Sequence, residues 1–124
     1  MVQTLILVAL GGAIGASLRY LAALGALRLF GPGFPFGTLG VNVLGSFLMG
    51  VLVVILSARG ATAFAPLLLT GVLGGFTTFS AFSLDALTLW ERGDPVLATL
   101  YVGASVLMSL AALAAGLFLA RSLT

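Results

Sequence analysis

Four long apolar stretches account for most of this 124-residue chain, and they leave little sequence to build anything else. They run over about residues 5–27, 38–57, 64–90 and 96–120. A helix needs about 20 apolar residues to cross the hydrocarbon core of a bilayer. Composition points the same way: 61% of residues are hydrophobic and 6% charged, against about 25% charged in soluble domains. With a mean hydropathy of +1.30, the chain cannot cover a water-facing surface. The expected fold is a single all-α domain of four transmembrane helices.

The connections are legible too. RLFGPGFPFG ends the first span through its Gly and Pro content, ARGATA follows the second, and ERGDP makes a charged turn after the third. Trp90 and Tyr101 flank that turn, as interfacial aromatics do. The opening stretch MVQTLILVALGGAIGASLRY lacks a basic leading region and a cleavage site, so it is expected to be the first span rather than a signal peptide.

The chain has neither Cys nor His, which excludes disulfides, thiol chemistry, familiar zinc sites and His-based catalysis. No nucleophile–base pair or metal cluster suggests an enzyme. Arg19, Arg28, Arg59, Arg92 and Arg121 are scattered, so no basic patch suits nucleic acid. With an even number of spans, both termini share one side with Arg59 and Arg121, while Arg28 and Arg92 lie on the other. The positive-inside rule has nothing to act on in this tie, beyond the weak bias of Arg19 within the first span. Balanced loops fit insertion in both orientations; a single orientation set by other features fits the charge count equally well. A four-helix protomer has little interior, so a pathway is expected to need more than one copy. Small residues spaced at four (Gly11 with Gly15, Gly12 with Ala16, Ala112 with Gly116) suit close helix packing without naming the partner.

Polar residues inside the spans form stripes. Thr38, Asn42 and Ser46 recur every four residues on the second helix. Tyr101, Ser105 and Ser109 do so on the fourth. An isolated Asn commonly supplies an interhelical hydrogen bond worth about 1 kcal/mol, and a Ser can bond its own i−4 carbonyl. Arg19 either snorkels from the end of its helix or faces a cavity. Asp85 is either a vestibule residue or a partner for Arg19.

The third span carries the densest departure from plain lipid-facing sequence, GGFTTFSAFS from Gly74 to Ser83. Gly74 and Gly75 weaken helix and β-branched Thr77 and Thr78 follow, so the helix is expected to break near its middle. Broken backbone at membrane depth survives only when buried in protein or lining a cavity. Freed carbonyls there would suit a hard cation. Phe76, Phe79 and Phe82 recur every three residues, with Thr77 and Ser80 on a neighbouring face. Such rings pack against lipid or core in most helices. Ring edges, hydroxyls and an Asn amide nevertheless all offer positive ends without a full charge. An anion could pass along such groups, and three helices each presenting such a stripe argue for a polar pathway, without naming the ion.

GGAIGASLRY, GTLGVNVLGSFLMG and GVLGGFTTFSAFS together resemble the three signature regions of the Fluc (CrcB) fluoride channels, and the resemblance covers all four spans. It implies a dual-topology antiparallel homodimer in membrane lipid that exports fluoride passively and lowers cytoplasmic fluoride. It also implies a structural sodium ion at the dimer interface, held by the backbone carbonyls of Gly74 and Thr77. The fluoride pathway it implies takes in Asn42, Phe79, Phe82, Tyr101, Ser105 and Ser109, with Thr78 and Ser80 beside them. Arg19 matches the Arg of the family's first helix. Asp85 stands where the family often has Glu, which leaves its vestibule role open.

A small dual-topology multidrug transporter is the nearest rival, but it needs an acid in the first helix, where this chain has Arg19. A structural membrane subunit without transport is a further reading, and the polar stripes speak against it. The tie in loop charge generates a direct test. Single cysteines placed by Ala61→Cys or Gly93→Cys should each be about half accessible to a label applied outside intact cells, as the charge tie together with the family resemblance implies. Full labelling of one site with complete protection of the other would refute dual insertion.

Overall fold

The computed structural model describes residues 1–124 and is helical throughout. Helix α1 (Val2–Phe30) is followed by α2 (Phe36–Ala58). The third span is composite: a 3₁₀ turn (Thr62–Phe64), a π-helical segment (Pro66–Leu73) and one α-helical turn (Gly74–Phe76), together called α3. After an interruption at Thr77 and Thr78 the chain resumes as α4 (Phe79–Glu91), and α5 (Pro95–Leu123) completes it. The four stretches long and apolar enough to span are Val2–Phe30, Phe36–Ala58, Thr62–Glu91 and Pro95–Leu123, each slightly longer than its apolar run in sequence. Gly31 and Gly93 end α1 and α4 in the left-handed region, with φ of 75° and 86°, where a side chain would be strained. Pro95 opens α5 in its first turn, where a missing N–H costs nothing.

Packing sorts the helices into two pairs. α2 lies along α5, and α1 lies along α3. The interruption then carries the chain away from α1, so that α4 packs on α5 instead. Glycine makes both pairings close. A Cβ on Gly11 would run into the Leu67 carbonyl oxygen, and one on Gly15 into the Val72 carbonyl oxygen. In the other pair, a Cβ on Gly50 would meet the Leu113 carbonyl oxygen and one on Gly116 that of Phe47. The small-residue spacings thus find their partners within the chain. Contact without side chains between them is how membrane helices gain van der Waals attraction where lipid removes the hydrophobic drive.

Only 15 of 124 residues are buried, so most of the apolar surface faces outward. The largest buried cluster joins Phe82, Leu89, Ala98 and Tyr101, with Phe34, Leu39, Ala86 and Leu97 against it. It ties α4 and α5 to the first loop, and it forms one wall of the site described below. Tyr101 is 0% exposed, which corrects the expectation of an interfacial aromatic: its position at the helix start faces inward, onto Phe82 and Phe34. Trp90, by contrast, is exposed near the end of α4.

The glycine contacts predict a contrast. Gly15→Ala should cost about 1–3 kcal/mol through overpacking, whereas Gly25→Ala, with nothing within 4 Å of the added carbon, should leave stability unchanged or raised. Thermal unfolding of the two variants in detergent, followed by loss of the monodisperse peak, measures the difference. Equal melting would contradict the packing account.

Candidate functional site at the helix break

The interruption lies two residues beyond the glycines. Gly74 is helical, with φ −62° and ψ −36°, whereas Thr77 (φ −87°, ψ 156°) and Thr78 (φ −152°, ψ 125°) are extended. The expectation that Gly74 and Gly75 break the helix is therefore corrected. Gly75 serves close packing instead, since a Cβ there would stand 2.8 Å from the Gly12 carbonyl oxygen. The threonines end one helix and start the next. Thr77 Oγ1 donates to the Leu73 carbonyl at 2.9 Å, alongside its own N–H at 3.0 Å. Thr78 Oγ1 accepts from the Ala81 N–H at 3.1 Å, an N-cap for α4.

Polar groups from earlier helices complete the accounting. Asn42 on α2 accepts the Thr78 N–H through Oδ1 at 2.7 Å and donates Nδ2 to the Thr78 carbonyl at 3.0 Å. Arg19 on α1 donates Nε to the Gly75 carbonyl at 3.0 Å. In an unbroken helix the carbonyls of Gly74 and Thr77 would accept from the N–H groups of Thr78 and Ala81. Both of those N–H groups are bound to side chains instead, so these two carbonyls lose their helical donors.

A cavity of about 540 Å³ opens beside the break. Asn42 and Ser46 line it from α2, Gly74, Thr77 and Thr78 from the interruption, Phe79 and Phe82 from α4, and Ser105 and Ser109 from α5. The Phe79 and Phe82 rings are 5.4 Å apart and tilted by 56°. Phe79 is 78% exposed. Several hydroxyls in the spans bond their own helix: Ser17 to Ala13, Ser83 to Phe79, Thr88 to Leu84. Ser105 does not; its Oγ is buried without a hydrogen-bond partner. An unsatisfied buried hydroxyl costs about 1–3 kcal/mol, and here it lies in a cavity wall.

A second cavity of about 220 Å³ lies against the first loop, lined by Thr38, Asp85, Thr88 and Arg92 among others. Tyr101 lines neither. It fills the space between them, its ring 5.4 Å from Phe82 on one side and 5.4 Å from Phe34 on the other, and it donates its hydroxyl to Asp85 Oδ2 at 3.1 Å. The α2 stripe passes both cavities, Thr38 in the second and Asn42 and Ser46 in the first.

Nine of the residues singled out from sequence thus meet in one cavity: Asn42, Ser46, Gly74, Thr77, Thr78, Phe79, Phe82, Ser105 and Ser109. Ser80 is outside it, exposed, with its Oγ 3.3 Å from that of Thr78. Phe76 leaves the aromatic stripe, because the extended residues that follow rotate α4 relative to α3; its ring edge approaches Gly45 instead. Arg19 and Asp85 do not pair: one serves the Gly75 carbonyl and the other Tyr101, and the chain's one ion pair is Arg92 with Asp94 at 3.8 Å. Phe34, which backs Tyr101 with its ring at 88°, escaped the sequence reading, since a loop Phe between glycine and proline carries no periodic signal. Thr78 as N-cap had a signal, a hydroxyl residue directly before a helical run.

Comparison with known proteins bears on this arrangement. A family described as "CrcB-like protein, Camphor Resistance (CrcB)" matches residues 6–117. A protein of Cereibacter sphaeroides named fluoride-specific ion channel FluC is 64% identical over 121 residues, covering 98% of this chain and 97% of its own. Proteins of the same name from Ruegeria sp. and Paracoccus denitrificans are 60% and 55% identical, each over at least 97% of both chains.

The clamp on the break predicts a cost for removing it. Asn42→Leu would strand the N–H and C=O of Thr78, at about 1–3 kcal/mol for each buried group. The variant should unfold at lower temperature than Asn42→Asp, which retains an acceptor for the N–H. Identical melting of the two variants would show that the amide does not hold the break.

Proposed function

The chain belongs to the CrcB family, and from that membership we propose that it is a fluoride-specific ion channel, a multi-pass membrane protein that lets fluoride leave the cell down its gradient. The observation that carries the mechanism is the donor set around the first cavity, above all the partnerless Ser105 hydroxyl. Moving a bare ion into low dielectric costs on the order of tens of kcal/mol unless polar groups replace its water. Ser105 and Ser109 each have a hydroxyl proton to offer there. Asn42 Nδ2 spends one hydrogen on Thr78 and keeps a second. Phe79 and Phe82 supply positive ring edges. None carries a full charge, so none would trap the ion, and conduction needs sites that release as readily as they bind.

The break aligns the backbone with this chemistry. The N-terminal end of α4, where N–H groups gather positive potential, starts at the cavity. The C-terminal end of α3 offers carbonyls of the opposite sign, and those of Gly74 and Thr77 lack helical donors, which fits a hard cation. Sodium bound there, with the same pair from a second antiparallel copy, would supply a fixed positive charge and tie two protomers together. The open flank at Phe79 supports a homodimer in which the partner completes the path. Loop charge balanced across the membrane supports dual topology.

Fluoride efflux from liposomes containing only this chain tests the assignment. Phe79→Ile and Phe82→Ile retain apolar bulk but remove the quadrupole, so flux should fall at least about tenfold, the effect of losing some 1.4 kcal/mol, while gel filtration stays unchanged. Normal flux in both variants would remove the rings from the mechanism. For the cation, Thr77→Ser should preserve both dimer and sodium dependence, because only the backbone would coordinate. Loss of the dimer in Thr77→Ser under saturating sodium would count against a backbone site.

A further inference from the structure

Asp85 has no part in the reading above, although it is the one acid well inside the third span. A carboxylate beside an anion path ought to repel the traffic. Its geometry gives it a different task. Asp85 lies one turn on from Phe82, in the wall of the second cavity, and its Oδ2 holds the Tyr101 hydroxyl at 3.1 Å. Tyr101 is wholly buried and separates the two cavities: Phe82 and Ser105 line the first, Thr38 and Asp85 the second. The polar stripe of α2 runs past it on both sides, so the two cavities lie along one polar line with this phenol between them.

A phenol has a single proton to donate. In this structure that proton points at the Asp85 carboxyl at 3.1 Å, a longer contact than the roughly 2.5–2.7 Å of the strongest O–H···O⁻ bonds, so it occupies the hydroxyl while remaining open to exchange for a passing anion. While the bond stands, Tyr101 cannot serve an anion. We propose that Asp85 sets how tightly the path holds fluoride, by competing with the ion for the Tyr101 hydroxyl. This rests on the fluoride-channel reading. An ion passing between the cavities turns the O–H toward itself by rotation about the C–O bond. The proton stays on the Tyr101 oxygen, and Asp85 is left facing the polar second cavity. When the ion moves on, the hydroxyl swings back. Asp85 therefore acts through Tyr101 as a positioning residue, weakening a station that would otherwise bind too well to release.

A double-mutant comparison of fluoride efflux in liposomes, over a range of fluoride concentrations, separates this from simple repulsion. Asp85→Ala frees the hydroxyl and should lower the half-saturating fluoride concentration about tenfold while lowering maximal flux, in keeping with the strength of a hydrogen bond to a charged group. In a Tyr101→Phe background the same substitution should shift half-saturation less than about twofold, because no proton remains to compete for. Equal shifts in both backgrounds would overturn the proposal and leave Asp85 acting as a field on any passing anion. No shift in either would overturn it as well. If Asp85→Ala fails to elute as the parent does, Asp85→Asn keeps the size and removes the charge, and should shift half-saturation in the same direction by less. Absence of fluoride flux in the unaltered chain would instead refute the channel reading itself.

Discussion

The structure depends on how one stretch of backbone is satisfied at membrane depth. Thr77 and Thr78 leave helical geometry within a membrane span, where lipid cannot take the released N–H and C=O groups. Asn42 takes both polar groups of Thr78 with a single amide, and Arg19 takes the carbonyl of Gly75. These bonds decide which way α4 leaves the break, and so whether Phe82 reaches Tyr101 and Ser105. The cavity, the ring pair and the Tyr101 septum all follow from that exit direction. An interhelical bond that would rank as ordinary bundle glue elsewhere is here the condition for having a site.

The two ends made by the break have opposite electrical character, and the chain treats them differently. The carbonyl end meets Arg19, the only cation placed beside it, whereas the N–H end meets only neutral groups. A guanidinium facing the cavity would bind an anion strongly and release it slowly. Arg19 instead gives its Nε–H to a backbone carbonyl and does not line the cavity, so its charge stays near the break. The neutral donors are then what an anion would touch.

The spans were legible in the sequence because the bilayer admits few alternatives: about 20 apolar residues in a row have nowhere else to go. The polar stripes were legible because helical periodicity is rigid, and Asn42, Ser105 and Ser109 do converge. The place of the break was harder. Gly74 and Gly75 carry low helix propensity, yet propensity is worth about 1 kcal/mol per glycine and close packing against Gly12 outweighs it. The helix breaks at the threonines because the Asn42 side chain, three dozen residues away, offers the Thr78 backbone both its partners, and no local pattern announces that. Tyr101 misled for a related reason. Its position at a helix start suggests the interface, and only the loop carrying Phe34, folded over it, makes the site interior.

The clamp also has a consequence for how the chain is made. The two side chains from other helices that satisfy the break, Arg19 and Asn42, belong to helices synthesised before the third span. If the spans enter the bilayer in chain order, the partners of the third already stand there when it arrives, and the extended residues need not meet lipid unprotected. The Gly11 and Gly15 face of α1 is likewise waiting for α3. A gene rearranged so that the third span came first would encode the same contacts, but its nascent chain would have to hold an open backbone in hydrocarbon until help arrived. The order of the helices along the gene is thus part of the design, and circular permutation would damage biogenesis before it touched the finished fold.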